Sequence, residues 1–313
     1  MNIPDGIIVQ NSGKTSTIGK IQGTGSLGGG CAFSNGVTVG TNTWKIGNDD
    51  DYKWEGKAID NSILVKVGAG KITASGKSTN SGATRIDEGQ MHITATATLG
   101  TGALNVGVNG KLSGASSTTV TLTNSSVTVN GEVQPGMTDE SATGFLDFGN
   151  KNVTFNTSST LRFGIRRCAT ARNNGCASII GINRLTMNGT LVAFLDDSYT
   201  PAEGDSIIVW NATSFSGTPK FDLPELPRGY SWNTSRISEG KLFVDYDPTA
   251  IENIAADAEV EVAVVTTGGT VVDKFVCPFG SVENVFRQST LPTGVYMLQI
   301  KTTNGTAVKK YVK

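Results

Sequence analysis

The chain is poor in the side chains that carry most enzyme chemistry. Its 313 residues include one histidine and four cysteines, and only 17% of them are charged. A sole histidine, His92, argues against catalysis by a nucleophile and a base, and no P-loop, HExxH or G-x-S-x-G sequence surrounds a candidate nucleophile. Because Met91 and Ile93 flank His92 in an alternating pattern, we expect its imidazole to be exposed on a strand. We therefore predict that the protein is not an enzyme and has no cofactor.

The charge balance and the hydrophobic pattern argue against two further classes of protein. A net charge of −1 fits neither a polybasic nucleic-acid binder nor an acidic solvating tail. No stretch approaches the ~20 apolar residues that a membrane helix needs, so no transmembrane segment is expected. The first residues have neither a charged start nor a long apolar core. No signal peptide is visible there, and we expect the sequence to be trimmed or a fragment.

The cysteines leave one question open. None of them forms a CxxC pair, so no metal site is expected. Cys168 and Cys176 lie close together in the sequence, on either side of the turn-forming residues Asn173, Asn174 and Gly175. They form either a disulfide across a hairpin, which suits an oxidising compartment, or two buried thiols.

Most of the chain has the short alternating pattern of β-strands. Apolar residues recur at every second position and are followed by Gly or Asn-Gly, as in LNVGVNGKL (104–112) and VTVNGEV (127–133). Asn-Gly either turns a β-hairpin or makes a corner between successive parallel strands. The interval from Asn109 to Asn130 is close to one coil of a parallel β-helix, and this period favours the second alternative. The residues expected to face inward are Val106, Val108, Leu112, Val127, Val129 and Val133.

Two segments resemble parts of known solenoid proteins. Residues 82–114 resemble the autotransporter-associated strand repeat, and the matching positions are Gly82, Thr84, Ile86, Gly89, Gly100, Gly102, Leu104, Val106, Gly110, Leu112 and Gly114. Residues 188–244 are similar to the terminal rungs of passenger β-helices, and the matching positions are Pro201, Gly204, Asp205, Leu223, Pro224, Leu226, Pro227, Gly229 and Trp232. These resemblances imply an all-β fold with a right-handed parallel β-helix over residues 1–247. Because a solenoid needs a cap and the start shows none, we expect this domain to be the C-terminal part of a longer solenoid.

The composition changes after Asp245, and we place a domain boundary between residues 247 and 248. Residues 248–313 have a compact strand-turn-strand pattern that resembles the C-terminal sorting domain of the type IX (Por) secretion system of Gram-negative bacteria. The matching positions are Ala250, Ile251, Glu252, Gly269, Val272, Leu291, Pro292, Gly294, Tyr296, Ile300, Gly305, Lys309, Val312 and Lys313. The resemblance implies a small Ig-like antiparallel β-sandwich as the second domain.

This resemblance also implies where the protein goes and what it meets. The residues expected to form the sorting signal are Leu291, Pro292, Gly294, Tyr296, Gly305, Lys309, Lys310 and Lys313. The same residues also suit an ordinary hairpin whose lysines protect an edge strand from pairing, and both roles are compatible. The expected partners are the secretion machinery of the outer membrane, together with surface lipopolysaccharide or a host or glycan ligand. We expect a secreted protein or one on the outer cell surface.

The segment NDDDYKWEG contains weak candidates for binding a glycan or calcium: Asp49, Asp50, Asp51 and Trp54. Carboxylates transfer protons or bind calcium, and an aromatic plane stacks on sugars. Consecutive acids in a loop point in different directions and repel one another. We therefore expect a solvated loop rather than a site.

Two functions of different classes remain. The first is a non-enzymatic secreted or cell-surface β-solenoid protein, adhesin-like or structural. The alternative is a polysaccharide-acting enzyme, lyase-like or glycosidase-like, with a β-helix and the same export domain. A cluster of carboxylates with arginine or lysine on one long sheet would distinguish the second from the first.

Overall fold

A computed structural model of the chain describes residues 1–30, 40–114, 119–136, 144–166, 177–197, 199–246, 256–302 and 305–313. These residues divide into two compact units. The N-terminal unit comprises residues 1–200, 205–225 and 232–243, and the C-terminal unit comprises residues 201–204, 226–231 and 244–313. The expected cysteine pair, Cys168 and Cys176, lies outside the described residues, and so does the expected boundary between residues 247 and 248.

Short strands account for nearly all of the secondary structure before residue 247. They are β1 (Ile8–Val9), β2 (Thr15–Ile18), β3 (Ser26–Leu27), β4 (Thr43–Ile46), β5 (Tyr52–Trp54), β6 (Lys57–Ala58), β7 (Ile63–Lys66), β8 (Lys71–Ala74), β9 (Lys77–Ser78), β10 (Thr84–Ile93), β11 (Thr98–Leu99), β12 (Leu104–Gly114), β13 (Thr119–Thr121), β14 (Ser126–Val129), β15 (Glu132–Gln134), β16 (Phe145–Phe155), β17 (Thr160–Ile165), β18 (Ser178–Met187), β19 (Thr190–Leu195), β20 (Ser206–Ile208), β21 (Trp210–Ser216), β22 (Lys220–Asp222), β23 (Tyr230–Asn233) and β24 (Lys241–Tyr246). One turn of 3-10 helix lies at Ile237–Glu239.

Most of these strands pair in parallel with an earlier strand on one side and a later strand on the other. Thr84 in β10 lies beside Leu64 in β7 and beside Leu104 in β12, so the two steps along the chain are equal in length. Leu104 in turn lies beside Val127 in β14, which is a slightly longer step. Hairpins would have given antiparallel neighbours. The strands that contain or flank these Asn-Gly sequences therefore have parallel neighbours, as the second alternative predicts.

Most parallel pairs of the described residues belong to two long ladders. The first ladder contains β2, β4, β7, β10, β12, β14, β16, β18 and β21, and the second contains β5, β8, β10, β12, β15, β17, β19 and β22. In addition, β13 pairs with β16, the strands β1, β3 and β6 form a separate short sheet, and β9 and β11 form another. Strands β10 and β12 contribute one half to the first ladder and the other half to the second. Gly89 lies where β10 changes ladder, with φ +66°, and a Cβ there would lie 2.3 Å from the carbonyl oxygen of Gly68. Only glycine allows the chain to turn this closely against residues 68–70.

The apolar side chains of the alternating segments form the core of the N-terminal unit. The inward-facing prediction is confirmed for five residues, which are Val106, Leu112, Val127, Val129 and Val133. It is wrong for Val108, whose surface is 69% exposed. Ile86 lies beside Val106, and the next aligned pair is Glu88 with Asn109, so one residue of β10 faces two of β12. This irregularity in the register turns Val108 away from the core.

The largest sheet among the described residues of the C-terminal unit is antiparallel. Its strands are β25 (Glu259–Thr266), β26 (Val271–Pro278), β27 (Val295–Thr302) and β28 (Gly305–Val312), in the spatial order β26-β25-β27-β28. A 3-10 turn at Phe279–Ser281 leads into a helix, α1 (Val282–Gln288). Phe286 of this helix is fully buried against alternate residues of the sheet, among them Val262, Leu298 and Ile300. The strand-turn-strand pattern is confirmed, whereas the helix was not predicted.

Candidate functional site

The acidic loop between β4 and β5 is exposed, as expected, but its carboxylates are engaged in hydrogen bonds. The backbone N–H of Ala69 donates to Asp49 Oδ1 (3.0 Å), and that of Lys71 donates to Asp51 Oδ1 (2.7 Å). The hydrogen bond from Lys71 lowers the pKa of Asp51. Within the described part of the chain, no group of three or more acidic, histidine or cysteine side chains is placed to hold a metal ion. The geometry gives Asp49 and Asp51 a role in joining this loop to residues 69–71.

Trp54 does not offer a stacking surface to a sugar. Its side chain is only 1% exposed, because the alternation of β5 turns Tyr52 and Trp54 inward and Lys53 outward. Burial also raises the pKa of Tyr52 to about 12. The burial of Trp54 argues against this weak candidate for a glycan site, and its indole belongs to the core.

Lys66 is a buried cation that the sequence analysis missed. Its side chain is fully buried at the end of β7, and its ammonium donates to the carbonyl oxygens of Val67 (2.9 Å), Gly68 (2.5 Å) and Glu88 (3.0 Å). Burial lowers the pKa of Lys66, and the nearby carboxylates of Glu88, Asp49 and Asp51 oppose that shift. The ammonium thus links the turn after β7 to β10.

His92 is buried rather than exposed, which corrects the prediction. Only 9% of its surface is accessible, and its Nδ1 lies 2.9 Å from the hydroxyl oxygen of Ser113 on the neighbouring strand. Gln90 Nε2 donates to the same hydroxyl oxygen over 2.7 Å. Alternation predicted the face of the strand correctly. It could not show that the register places Thr73 and Ser113 on either side of the imidazole.

Stability should depend on pH through His92. Burial, with a smaller contribution from Lys71, lowers the pKa of His92 below its ordinary value of 6.5. Below pH 6.5 the unfolded chain therefore binds a proton that the folded chain does not, and stability falls as the pH decreases, by up to about 1.4 kcal/mol per pH unit. Urea denaturation between pH 7.5 and 5.5 measures this slope. The variant His92→Gln should lose most of it, and an equal slope in both proteins would contradict the assignment.

Polar side chains form two rows on the outer face of the second ladder. The first row places Lys71, Gln90, Lys111 and Glu132 side by side, and the second places Thr73, His92, Ser113 and Gln134 side by side. Arg162 in β17 joins the first row through Glu132, whose Oε1 lies 3.5 Å from Arg162 Nε and 2.9 Å from Lys111 Nζ. We call these nine residues the outer polar face. Sequence reasoning missed this face, because its members lie on five different strands. They become neighbours only through the register between those strands.

Several predicted sorting residues hold the C-terminal unit together. The ring of Tyr296 is buried and packs against Phe286, with 5.7 Å between ring centroids, and its hydroxyl donates to the carbonyl oxygen of Pro292 (2.9 Å). Leu291 is partly buried against the same core. The N–H of Gly294 donates to the carbonyl oxygen of the last residue (3.1 Å), so the start of β27 is tied to the end of the chain.

The terminal lysines differ in what they contact. The N–H of Lys313 donates to the Gly294 carbonyl (2.9 Å), and its ammonium donates to the carbonyl and the hydroxyl of Ser289, at the C-terminal end of α1. A cation at this end of a helix is stabilised by the helix dipole. Lys309 and Lys310 are exposed on the edge strand β28, which begins at Gly305. Lys313 therefore joins the end of the chain to Gly294 and to the end of α1, while Lys309 and Lys310 are exposed to solvent.

The comparison with protein families agrees with this geometry at the end of the chain. Residues 238–313 match the secretion system C-terminal sorting domain. The match supports the type IX sorting domain inferred from the last strands, and it includes the eight predicted sorting residues. No curated relative matches the chain.

The sorting domain determines where the protein goes. It directs export to the outer cell surface or secretion, and it implies an interaction with the secretion machinery. No helix in the described part of the chain is long and apolar enough to span a membrane.

Proposed function

We propose that the body of this exported protein is a right-handed parallel β-helix built from autotransporter-associated strand repeats, and that it acts as a non-enzymatic, adhesin-like or structural surface protein. The observation that carries the proposal is the set of parallel ladders, in which successive strands follow the order of the chain although the steps between them differ in length. Such an order arises when a chain coils so that each turn pairs with the turn before it. A long stack of coils offers an extended surface for contacts outside the cell.

Removing one whole coil tests the β-helix. Deletion of residues 84–103 joins Ala83 to Leu104, which already occupies the position beside Thr84. If the strands form a stack of coils, the shortened chain should fold and show one cooperative transition, because each coil contacts only its neighbours. Circular dichroism and urea denaturation measure this. The matched control, deletion of residues 84–93, removes half a coil and should abolish folding. Equal tolerance of both deletions would contradict the proposal.

We also propose that the C-terminal unit has the Ig-like sandwich architecture expected from the resemblance. Its antiparallel strands and its alternating buried residues support this assignment. The described residues supply one four-stranded sheet with α1 on its core face, so the sandwich stays a prediction that an experimental structure of the full chain would test.

The polysaccharide-acting alternative has one observation in its favour. Glu132 lies between the cations Lys111 and Arg162 on the outer face of a long parallel sheet, which is one carboxylate of the cluster of carboxylates with arginine or lysine that would favour this alternative. Hydrolysis of glycosides ordinarily uses two carboxyl groups, and Glu132 is the only carboxylate of the outer polar face. Non-enzymatic binding therefore remains the better supported proposal. Release of new reducing ends from a polysaccharide by the purified protein would reverse this preference.

A further inference from the structure

We propose that the face of the C-terminal sheet opposite α1 docks onto a component of the secretion machinery whose contact surface is apolar at its centre and acidic at its rim. The sorting domain implies an interaction with that machinery, and one of its surfaces must make this contact. The inference rests on the sorting domain and goes beyond the adhesin-like function proposed for the body of the protein.

The two faces of the sheet differ. Val262, Leu298 and Ile300 point to the face that packs against α1, where Phe286 is fully buried among them. Side chains alternate along a strand, so the neighbours of these residues in the sequence point to the opposite face. We call this opposite face the free face, because α1 does not cover it.

Apolar side chains meet at one end of the free face. Val271, Val265 and Met297 lie side by side across β26, β25 and β27, and Val295 lies beside Val312 on β27 and β28. We call these five residues the apolar patch. Val265 at its centre is buried, whereas the other three valines are exposed, with 62% of the surface of Val312 accessible. Apolar side chains that are exposed together on neighbouring strands are typical of interaction sites.

Cations border the apolar patch. Lys310 lies beside Met297, and Lys274 lies on the same face of β26. Both lysines are exposed. The carboxylate of Glu261, also on the free face, lies 3.9 Å from the ammonium of Lys301 and offsets its charge. Lys274 and Lys310 therefore give this face an excess of positive charge.

This charge distinguishes the candidate partners. A second copy of the chain in a two-fold contact would bring the same cations towards one another, and like charges repel. A protein surface with acidic side chains around an apolar centre would cover the patch and pair with the two lysines at its edge. The sorting domain favours a component of the secretion machinery as this protein, and contact with membrane lipid is an outcome that the test detects.

Photocrosslinking in cells identifies the molecule that contacts the apolar patch. The full chain carries p-benzoylphenylalanine in place of Val295 or, as the matched control, in place of Val108, an exposed valine of the N-terminal unit. In a strain with an intact type IX secretion system, position 295 should give at least fivefold more adduct with a component of that system than position 108. Equal adducts at the two positions, or an adduct at position 295 only with lipid or with a second copy, would overturn the inference.

Two pairs of variants measure what the patch and its border contribute. The double variant Val271→Thr, Val295→Thr keeps the β-branched shapes and replaces two exposed methyl groups by hydroxyl groups. Its extracellular yield should fall at least fivefold, while hydrogen exchange of residues 256–313 stays the same, and Val108→Thr should keep the wild-type yield. Lys310→Glu should lower the yield at least fivefold, and Lys309→Glu, on the opposite face of β28, less than twofold.

Two results of these variants would contradict the docking surface. One is a wild-type yield for the double valine variant, and the other is an equal yield for the two lysine variants. If deletion of Val312 and Lys313 stops export while the double valine variant is exported normally, the sorting role stands and only the assignment of the free face is wrong.

Discussion

Removal of Val312 and Lys313 is expected to reduce the extracellular yield of the full chain at least tenfold. The deletion removes both backbone hydrogen bonds between Gly294 and Lys313, and it removes the ammonium that bonds to Ser289 at the end of α1. It also removes Val312 from beside Val295. Without these contacts the last hairpin should separate from the helix. Immunoblots of culture medium and cell fractions measure the yield, and hydrogen exchange of residues 256–313 measures the loosening.

Two further variants show whether the machinery reads the fold or the charge at the C-terminus. Lys313→Met keeps the backbone hydrogen bonds and removes only the ammonium. Hydrogen exchange near Ser289 should therefore rise, while β28 stays protected. The double variant Lys309→Ala, Lys310→Ala changes two exposed side chains and should leave hydrogen exchange unaltered. Loss of secretion in the double variant would assign these lysines to recognition. Unchanged extracellular yield after deletion of Val312 and Lys313 would contradict the sorting role.

Lys66→Met is expected to destabilise the N-terminal unit by about 2 kcal/mol or more, because a buried polar group that loses its hydrogen-bond partner costs about 1–3 kcal/mol. Methionine fills a similar volume but donates no hydrogen bond. The carbonyl oxygens of Val67, Gly68 and Glu88 would then lose their shared donor inside the protein. All four tryptophans lie at positions of this unit, so tryptophan fluorescence during urea denaturation reports its unfolding.

The control for this variant is Lys45→Met, at an exposed position of the adjacent strand β4. Surface substitutions usually change stability by less than about 0.5 kcal/mol. We therefore expect Lys45→Met to unfold at nearly the wild-type urea concentration. Equal urea midpoints for Lys66→Met and Lys45→Met would show that the Lys66 ammonium does not stabilise the N-terminal unit.

The parallel pairing could be predicted from the sequence because it depends on features that recur along the chain. The interval from Asn109 to Asn130 lies between the two observed steps, the shorter from β10 to β12 and the longer from β12 to β14. Alternation also predicts burial well where the register is regular. It fails at Val108, because an extra residue in β12 reverses the alternation there. Such irregularities depend on which residues of two strands face each other, and one strand's pattern does not contain that information.

The helix α1 was missed for a different reason. Its seven residues are too few to establish a helical period, and only two of them, Val282 and Phe286, are buried. A local signal was present, because Glu283 and Arg287 are spaced to pair on a helix, and their side chains do form an ion pair (2.7 Å). Because the helix was missed, the contact between Lys313 and its C-terminal end could not be predicted either.

The candidate sites show the same difference between contiguous sequence patterns and neighbours that depend on strand register. The sorting residues were found because they form a contiguous pattern at the end of the chain, from Leu291 onward. The outer polar face was not found, because Gln90, Lys111 and Glu132 become neighbours only through the register of three strands. Lys66 was missed because a lysine at the end of an apolar strand normally reaches solvent. Here the turn after β7 places three carbonyl groups around its ammonium.

The most direct test of the account is the location of the unaltered full chain in two strains of a Gram-negative host, one with an intact type IX secretion system and one in which that system is inactivated. With the system intact, fractionation and surface immunolabelling should place the protein in the medium or on the outer surface. With the system inactivated, the protein should accumulate in the periplasm. Equal amounts of extracellular or surface-labelled protein in the two strains would contradict the account.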